Sequence, residues 1–355
     1  MVGENREAAI RAHAQRRPSL AEIAAEAGVS ISTVSKVVNG ATDVAPSTRA
    51  RVVQLLQSMR YLSPKQRARQ DVVTIVVLLA SSSMSSPHSI EILRGAITAA
   101  RAANLELVLL DTAEQTDAVW LERITRAERT AVIAIKSRLT ADDTERLRDH
   151  GIAVIEVDPY SAADGDTYSV GATNFAGAMT ATQHLVDLGH RRIGFLGGVA
   201  DTEASLARKH GYLAALAVAS IEPDDDIVMT GEYTYEAGVE SATRLLQSED
   251  PPSAIFAASD PQAAGVLEAA RLEGIAVPKQ LSVVGFDDQL VSRMTAPRLT
   301  TIRQPSEEMG RYAVTMAHQL LLGSPPPVMH ADLATTLIER DSTAPPNPVR
   351  KRRPL

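Results

Sequence analysis

The chain has 355 residues, 45% of them hydrophobic and 22% charged, with no cysteine. That is a globular composition with room for two or three domains, and it excludes disulfides and thiolate metal sites. The net charge of −7 is unevenly spread: residues 1–70 hold eleven Lys/Arg against five Asp/Glu, a balance of +6 that leaves −13 on the remainder. A basic head on an acidic body points to a polyanionic partner for the head. No apolar run of about 18 residues is present, so no membrane-spanning helix and no membrane partner are expected. The opening "MVGENREAAIRAHAQRRP" lacks the apolar stretch of a secretory signal, which fits a cytoplasmic protein.

Residues 1–17 read as a flexible extension. Then "PSLAEIAAEAGVS" places Ser19 three residues ahead of Glu22, the spacing of a capping box. Leu20, Ile23, Ala24 and Ala27 recur at helical spacing, and Gly28 supplies a left-handed stop. Ser30 can cap a second helix with an apolar stripe of Val34, Val37 and Val38. Its opposite face shows Ile31, Ser32, Ser35 and Lys36. A third helix starts near Pro46, with Val52, Val53, Leu55, Leu56 and Met59 as its apolar face. This is a helix-turn-helix unit whose second helix would enter the major groove of DNA.

"LAEIAAEAGVSISTVSKVVNG" followed by "RVVQLLQSMRY" resembles the DNA-binding domain of the LacI/GalR family of bacterial transcriptional regulators. The resemblance implies that Ile31, Ser32 and Lys36 read bases, and that Ser30, Thr33 and Asn39 hold phosphates or the turn. Ile31 can offer only apolar contact, for instance to a thymine methyl, and Lys36 is the strongest candidate for a guanine. The helix-turn-helix domain is set at 18–62 and a hinge at 63–71. Family members carry a hinge leucine that wedges into the minor groove. Here "YLSPKQRARQD" aligns only with one extra residue and puts Asp71 at the leucine position. An aspartate cannot intercalate, so the hinge is expected to clamp the backbone through Lys65, Arg67 and Arg69.

From Val72, short apolar runs ("VVTIVVLLA", "LELVLL", "AVIAI", "IAVIEVD", "RRIGFLGG", "SAIFAASD", "LSVVGFDD") alternate with helical stretches. That alternation implies right-handed crossovers and parallel sheets. About 270 residues exceed one comfortable sheet, which predicts two lobes. Ligands bind such sheets beyond the strand carboxyl ends. Of the acids there, Asp111 ("DTAE") and Asp260 ("DPQ") read as helix caps, whereas Asp158 and Asp287 read as ligand candidates. His184 and His190, in "HLVDLGHRR", read as helix-end histidines near the macrodipole. No P-loop, GxGxxG, HExxH or GxSxG motif occurs, so no cofactor, metal or enzymatic activity is expected.

The body's segments are similar, in content and order, to the effector domain of the same family, which shares its fold with periplasmic sugar-binding proteins. The fold class is therefore α/β: an N-terminal all-α helix-turn-helix domain plus a periplasmic-binding-protein-like, two-lobed effector domain, 72–343. The N-lobe would comprise about 72–170 and 304–332, the C-lobe about 171–303 and 333–343, with 344–355 a disordered basic tail. The resemblance implies effector contacts from Asp158, Arg208, Ser259, Asp287 and Gln304, an aromatic contact from Tyr233, and a polar one from Ser86. Carboxylates and an arginine suit vicinal hydroxyls, and an aromatic ring suits a sugar's C–H face. A sugar is the favoured effector; a nucleobase, which would also accept a stacked Tyr233 and the Asp287 carboxylate, stands second. The expected function is a homodimeric, operator-binding repressor of carbohydrate-utilisation genes, released when an effector closes the lobes. A corepressor in place of an inducer, and a periplasmic-type solute receptor, are the alternatives.

Overall fold

The computed structural model describes residues 18–39, 41, 43–59, 61, 73–79, 84, 86–112, 117–125, 130–136, 139–161, 166–200 and 202–347. The chain divides into two units, Met1–Val72 and Val73–Leu355. In the first, helices α1 (Leu20–Ala27), α2 (Ile31–Val38) and α3 (Pro46–Ser58) enclose a core of Ile23, Ala24, Ala27, Val34, Val37 and Val52. The capping box forms: the Glu22 N–H donates to Ser19 Oγ at 3.2 Å and the Ser19 N–H to Glu22 Oε2 at 2.7 Å. Gly28 takes φ 61°, the left-handed conformation that ends α1. The Thr33 N–H donates to Ser30 Oγ, and Pro46 opens α3. Val38 packs only half-buried at the edge of this core.

The second unit carries two six-stranded sheets. The first is built from β1 (Thr74–Leu79), β2 (Glu106–Asp111), β3 (Thr130–Ile135), β4 (Ala153–Val157), β5 (Tyr168–Ala172) and, from far along the chain, β11 (His330–Leu333). Its order is β11-β5-β4-β3-β1-β2, parallel throughout. The second holds β6 (Ile193–Leu196), β7 (Val228–Met229), β8 (Ala254–Ala257), β9 (Ser282–Asp287), β10 (Thr300–Arg303) and β12 (Thr336–Ile338). Its order is β12-β10-β9-β8-β6-β7, with only β12 antiparallel. The chain thus passes between sheets after β5, after β10 and after β11.

Both faces of each sheet are covered. In β1, Ile75, Val77 and Leu79 enter one core while Val76 and Leu78 enter another. In the second sheet, Ile255, Ala257 and Val283 face one way and Phe256, Val284 and Phe286 the other. Residues alternating between two apolar faces read as continuous apolar runs, as the sequence showed. The helices of the first lobe are α4 (Pro87–Ala102), α5 (Asp117–Thr125) and α6 (Ala141–Asp149); α7 (Asn174–Asp187), α8 (Glu203–Val218), α9 (Tyr235–Gln247), α10 (Asp260–Leu272) and α11 (Leu290–Met294) follow. Last comes α12 (Ser306–Leu321), whose Met309, Ala313 and Val314 return to the first sheet's core.

Four local expectations need correction. Ser259, not Asp260, caps α10, its Oγ accepting from the Gln262 N–H; Asp260 is the first helical residue and is fully buried. Asp111 ends β2, and the next described helix starts only at Asp117, so Asp111 is no helix cap. His190 is a core tie, with Nδ1 2.9 Å from Ser253 Oγ and Nε2 3.0 Å from both Ser282 Oγ and the Ala344 oxygen. Burial pushes its pKa down. That arrangement also corrects the tail: the Ala344 N–H donates to Ser282 Oγ, and Ser342 Oγ bonds the Val283 oxygen at 2.6 Å. The chain is therefore strapped to the second lobe through Ala344, and 348–355 lie outside the described residues.

Helices α4 and α12 pack backbone against backbone. A Cβ on Gly95 would overlap the Glu307 carbonyl oxygen, and one on Gly310 would overlap the Ile92 carbonyl oxygen. No side chain fits at either crossing without separating the helices. Gly310→Ala should therefore destabilise the body by about 1–3 kcal/mol, measured by denaturant unfolding; a change within error would show that the helices can part freely.

Candidate functional site

On the head, Ile31 is 53% exposed and Ser32 and Lys36 are exposed beside it. Ser30 Oγ lies 2.8 Å from both Ser32 Oγ and Thr33 Oγ1, a hydroxyl cluster at the start of α2 where the helix dipole favours anions. Asn39 folds back, its Nδ2 donating to the Ser35 oxygen at 3.0 Å. Lys36 Nζ pairs with Asp43 Oδ2 at 2.5 Å, and that bond holds the exposed Asp43 below the usual carboxylate range. The candidate reader must therefore exchange a carboxylate for a base edge. Lys65, Arg67 and Arg69 lie outside the described residues.

In the body, the strand carboxyl ends bring together a cluster from both lobes. Asp158 follows β4, is 6% exposed, and has Oδ2 3.2 Å from His88 Nε2 and 3.5 Å from Lys136 Nζ. Burial pushes its carboxyl up, but Lys136, His88 and Arg208 outweigh that and hold it well below the usual carboxylate range. Asp287 ends β9. Its Oδ1 accepts from Gln304 Nε2 at 2.6 Å and lies 3.9 Å from Arg208 Nη2; its Oδ2 accepts from Gln289 Nε2 at 2.9 Å. Arg208, from α8, is 4% exposed and donates to Asn174 Oδ1 at 2.9 Å and the Ala258 oxygen at 2.6 Å. Its guanidinium lies 3.9 Å from the centre of the Phe286 ring and 5.7 Å from that of Tyr233. Lys136 Nζ is 5.8 Å from the same tyrosine ring.

Asp158, Arg208, Tyr233, Asp287 and Gln304 thus meet. Ser259 stands beside them, but its hydroxyl is spent on the α10 cap and on Gln262 Oε1 at 3.2 Å. Ser86 is half-buried ahead of α4, with no bond to its cap; from that loop His88 is the residue that reaches Asp158. His88, Lys136, Asn174 and Gln289 were missed as site residues. For Lys136 a signal existed, since it is the first charge after the apolar run of β3. His88 and Asn174 each stand in the first turn of a helix, a position that reveals nothing about which cleft it faces.

Two features mark the cluster as built for a ligand. Tyr233 Oη and Gln304 Oε1 are buried with no hydrogen-bond partner among the described residues, a rare condition in a folded interior. Lys136, Asp158, Asp287 and Asp288 all take positive φ (46°, 52°, 115° and 57°), each costing about 1–3 kcal/mol and characteristic of ligand clamps. A cavity of about 570 Å³ adjoins them, lined among others by Asp158, Asn174, Phe175, Glu203 and Asp332. Of the cluster, Asp158 and Asn174 line that cavity; the carboxylates, amides, arginine and aromatic that the cluster gathers suit a small polyhydroxylated or heterocyclic molecule. Among the described residues no cluster of His, Asp and Glu could hold a metal ion, and no helix is long and apolar enough to cross a membrane.

Comparison with known proteins identifies both domains. Residues 19–63 match the model of bacterial regulatory proteins, lacI family, and residues 182–343 that of a periplasmic binding protein-like domain. The HTH-type transcriptional regulator CelR of Thermobifida fusca is 30% identical over 92% of this chain and 99% of its own. The HTH-type transcriptional repressor CytR of Escherichia coli K12 is 31% identical over 84% of this chain and 88% of its own. Among solved structures, a transcriptional regulator CelR-cellobiose complex superposes with a TM-score of 0.69 at 29% identity, over 92% of this chain and 100% of that one. These relatives are transcriptional regulators rather than enzymes.

Behind the cluster, Asp260 accepts from the Gln289 N–H at 2.7 Å and from Thr301 Oγ1 at 2.6 Å. Burial, then the neighbouring Asp287, push its pKa well up. A carboxyl raised in the folded state contributes stability that is complete below the unfolded value of about 4 and is lost as pH rises through the folded value. Asp260→Asn removes that titration, so the variant's melting temperature should gain on the native protein's between pH 5 and pH 9. Parallel curves would mean that Asp260 is ionised throughout.

Proposed function

Because this chain belongs to the lacI family of bacterial regulatory proteins, we propose that it is a repressor of carbohydrate-utilisation genes whose grip on its operator is loosened by a small sugar. The observation that carries the effector reading is the two-sided cluster. Asp158 and Lys136 stand on the first sheet and Arg208 and Asp287 on the second lobe, with the buried Tyr233 and Gln304 oxygens left for a ligand. Charged side chains of opposite sign neutralise one another there, so the pocket offers hydrogen bonds without net charge, which suits a neutral polyol. The CelR structure holding cellobiose supports a sugar by likeness. A nucleobase is the second reading, favoured by the Tyr233 face beside the Asp287 carboxylate.

One helix-turn-helix reads a half-site, so the working form is a homodimer on a two-fold operator, in the cytoplasm where the DNA is. DNA and effector then bind with reciprocal coupling. No catalytic role, cofactor or metal enters this reading.

Two measurements test it. A panel of sugars and nucleobases should contain a compound that raises the melting temperature, by the equivalent of about 2.7 kcal/mol at 100 times its dissociation constant, and weakens operator binding. Asp287→Ala should abolish both effects; a panel without response overturns the sensor. For the hinge, operators altered only at the central base step should bind nearly as well as the parent, since Asp71 cannot intercalate; a tenfold loss would show that another residue wedges there.

A further inference from the structure

The effector carboxylates are wired to each other through the start of α12. Gln304 binds Asp287 at 2.6 Å, and two residues later Ser306 Oγ lies 3.0 Å from His88 Nδ1. His88 Nε2 in turn lies 3.2 Å from Asp158 Oδ2. The line Asp287–Gln304–Pro305–Ser306–His88–Asp158 therefore crosses from one lobe to the other along a single connection, the one between β10 and α12. Every polar side chain on it is buried: His88 is 3% exposed, Ser306 2% and Gln304 4%, with Asp158 and Asp287 each at 6%.

At the Asp158 end a carboxylate oxygen can only accept, and Nε2 of His88 is the ring atom that faces it. The contact is too poorly aligned to count as a hydrogen bond, which leaves Nε2 without a partner among the described residues and open to a ligand hydroxyl. On the far side of the ring, Ser306 fixes the imidazole against the first turn of α12. His88 itself stands in the first turn of α4, and α4 and α12 touch backbone to backbone at Gly95 and Gly310. No side chains lie between the helices at those crossings to absorb a shift of one against the other, so the pair is packed as one unit.

We infer that His88 is a positioning residue that converts occupation of Asp158 into a shift of the α4–α12 pair, with Ser306 as the fixed point of the ring. This rests on the effector reading above. The Ser–His–Asp order is that of a hydrolase triad, but Ser306 is sealed in the helix junction and faces no substrate space; its hydroxyl serves as an anchor.

The test uses the full chain. Without any ligand, Ser306→Ala and His88→Ala should each speed amide hydrogen exchange at least fivefold in the first turns of both α4 and α12, and the double variant should do no more than either. Additive effects, or effects confined to the mutated helix, would overturn the relay. With cellobiose as the probe, Ser306→Ala should keep the native melting shift yet lose at least fivefold of the cellobiose-induced fall in operator affinity, and Ser306→Thr, which restores the hydroxyl, should recover it. Full release by Ser306→Ala would sink the relay. Should cellobiose leave the native protein's melting unchanged, the choice of that sugar fails, and the exchange pattern alone decides the relay.

Discussion

A carboxylate removed from water stays charged only when cations or strong donors are brought to contact distance. The body of this protein is organised around that demand. Asp158 is served by His88 and Lys136, Asp287 by Gln304, Gln289 and Arg208, and Asp288 by Arg293, Arg303 and Arg340. The partners are drawn from distant parts of the chain, so satisfying the charges requires the lobes to be assembled. Arg208 stands on α8 yet is among the cations that hold down Asp158 on the other sheet. Asp260, one shell deeper, receives only neutral donors and is pushed towards its protonated form. Adjacent acids thus take opposite roles according to whether an arginine or lysine can reach them.

The two consecutive acids at the end of β9, Asp287 and Asp288, divide the labour. Asp287 faces the cleft and shares its oxygens with amides that a ligand can displace. Asp288, its side chain 1% exposed, is locked by three guanidiniums and Ser292. Arg340 lies just beyond β12, so this lock pins the returning chain to the end of the strand that carries Asp287. The left-handed backbone at both residues aims one side chain out and the other in. The strain this costs is offset by a network whose removal would leave a buried charge unpaired.

Much of the architecture was legible. The capping box at Ser19, the glycine stop at Gly28 and the Pro46 helix start are local signals, and local physics produced each of them. The alternation of apolar runs with helical stretches was equally readable, because the central strands, such as β1, β3, β8 and β9, are buried on both faces. Misreadings arose where a neighbouring residue suited the role better or where long-range contacts decided the outcome. Asp260 looks like a cap because "DPQ" suits one, but Ser259 holds the extended backbone and the free hydroxyl that capping needs. His190 looks like a helix-end residue because nothing near it in sequence reveals Ser253, Ser282 and Ala344. Ala344 looks like the start of a tail because its proline-rich surroundings show no periodicity.

The sequence by itself determined the head, the two-lobed α/β body and the candidate acids, because hydrophobic period, capping chemistry and strand-end position are written within a few neighbouring residues. Only the tertiary structure decided which polar groups answer one another. His88 reaches Ser306 across 218 positions, Lys136 reaches Asp158 through adjacent strand ends, and Ser259 is withdrawn from the cleft by its own helix. Pairing across such separations depends on where three chain crossings lay the sheets, and burial then fixes the charge of each group by the company it is forced to keep.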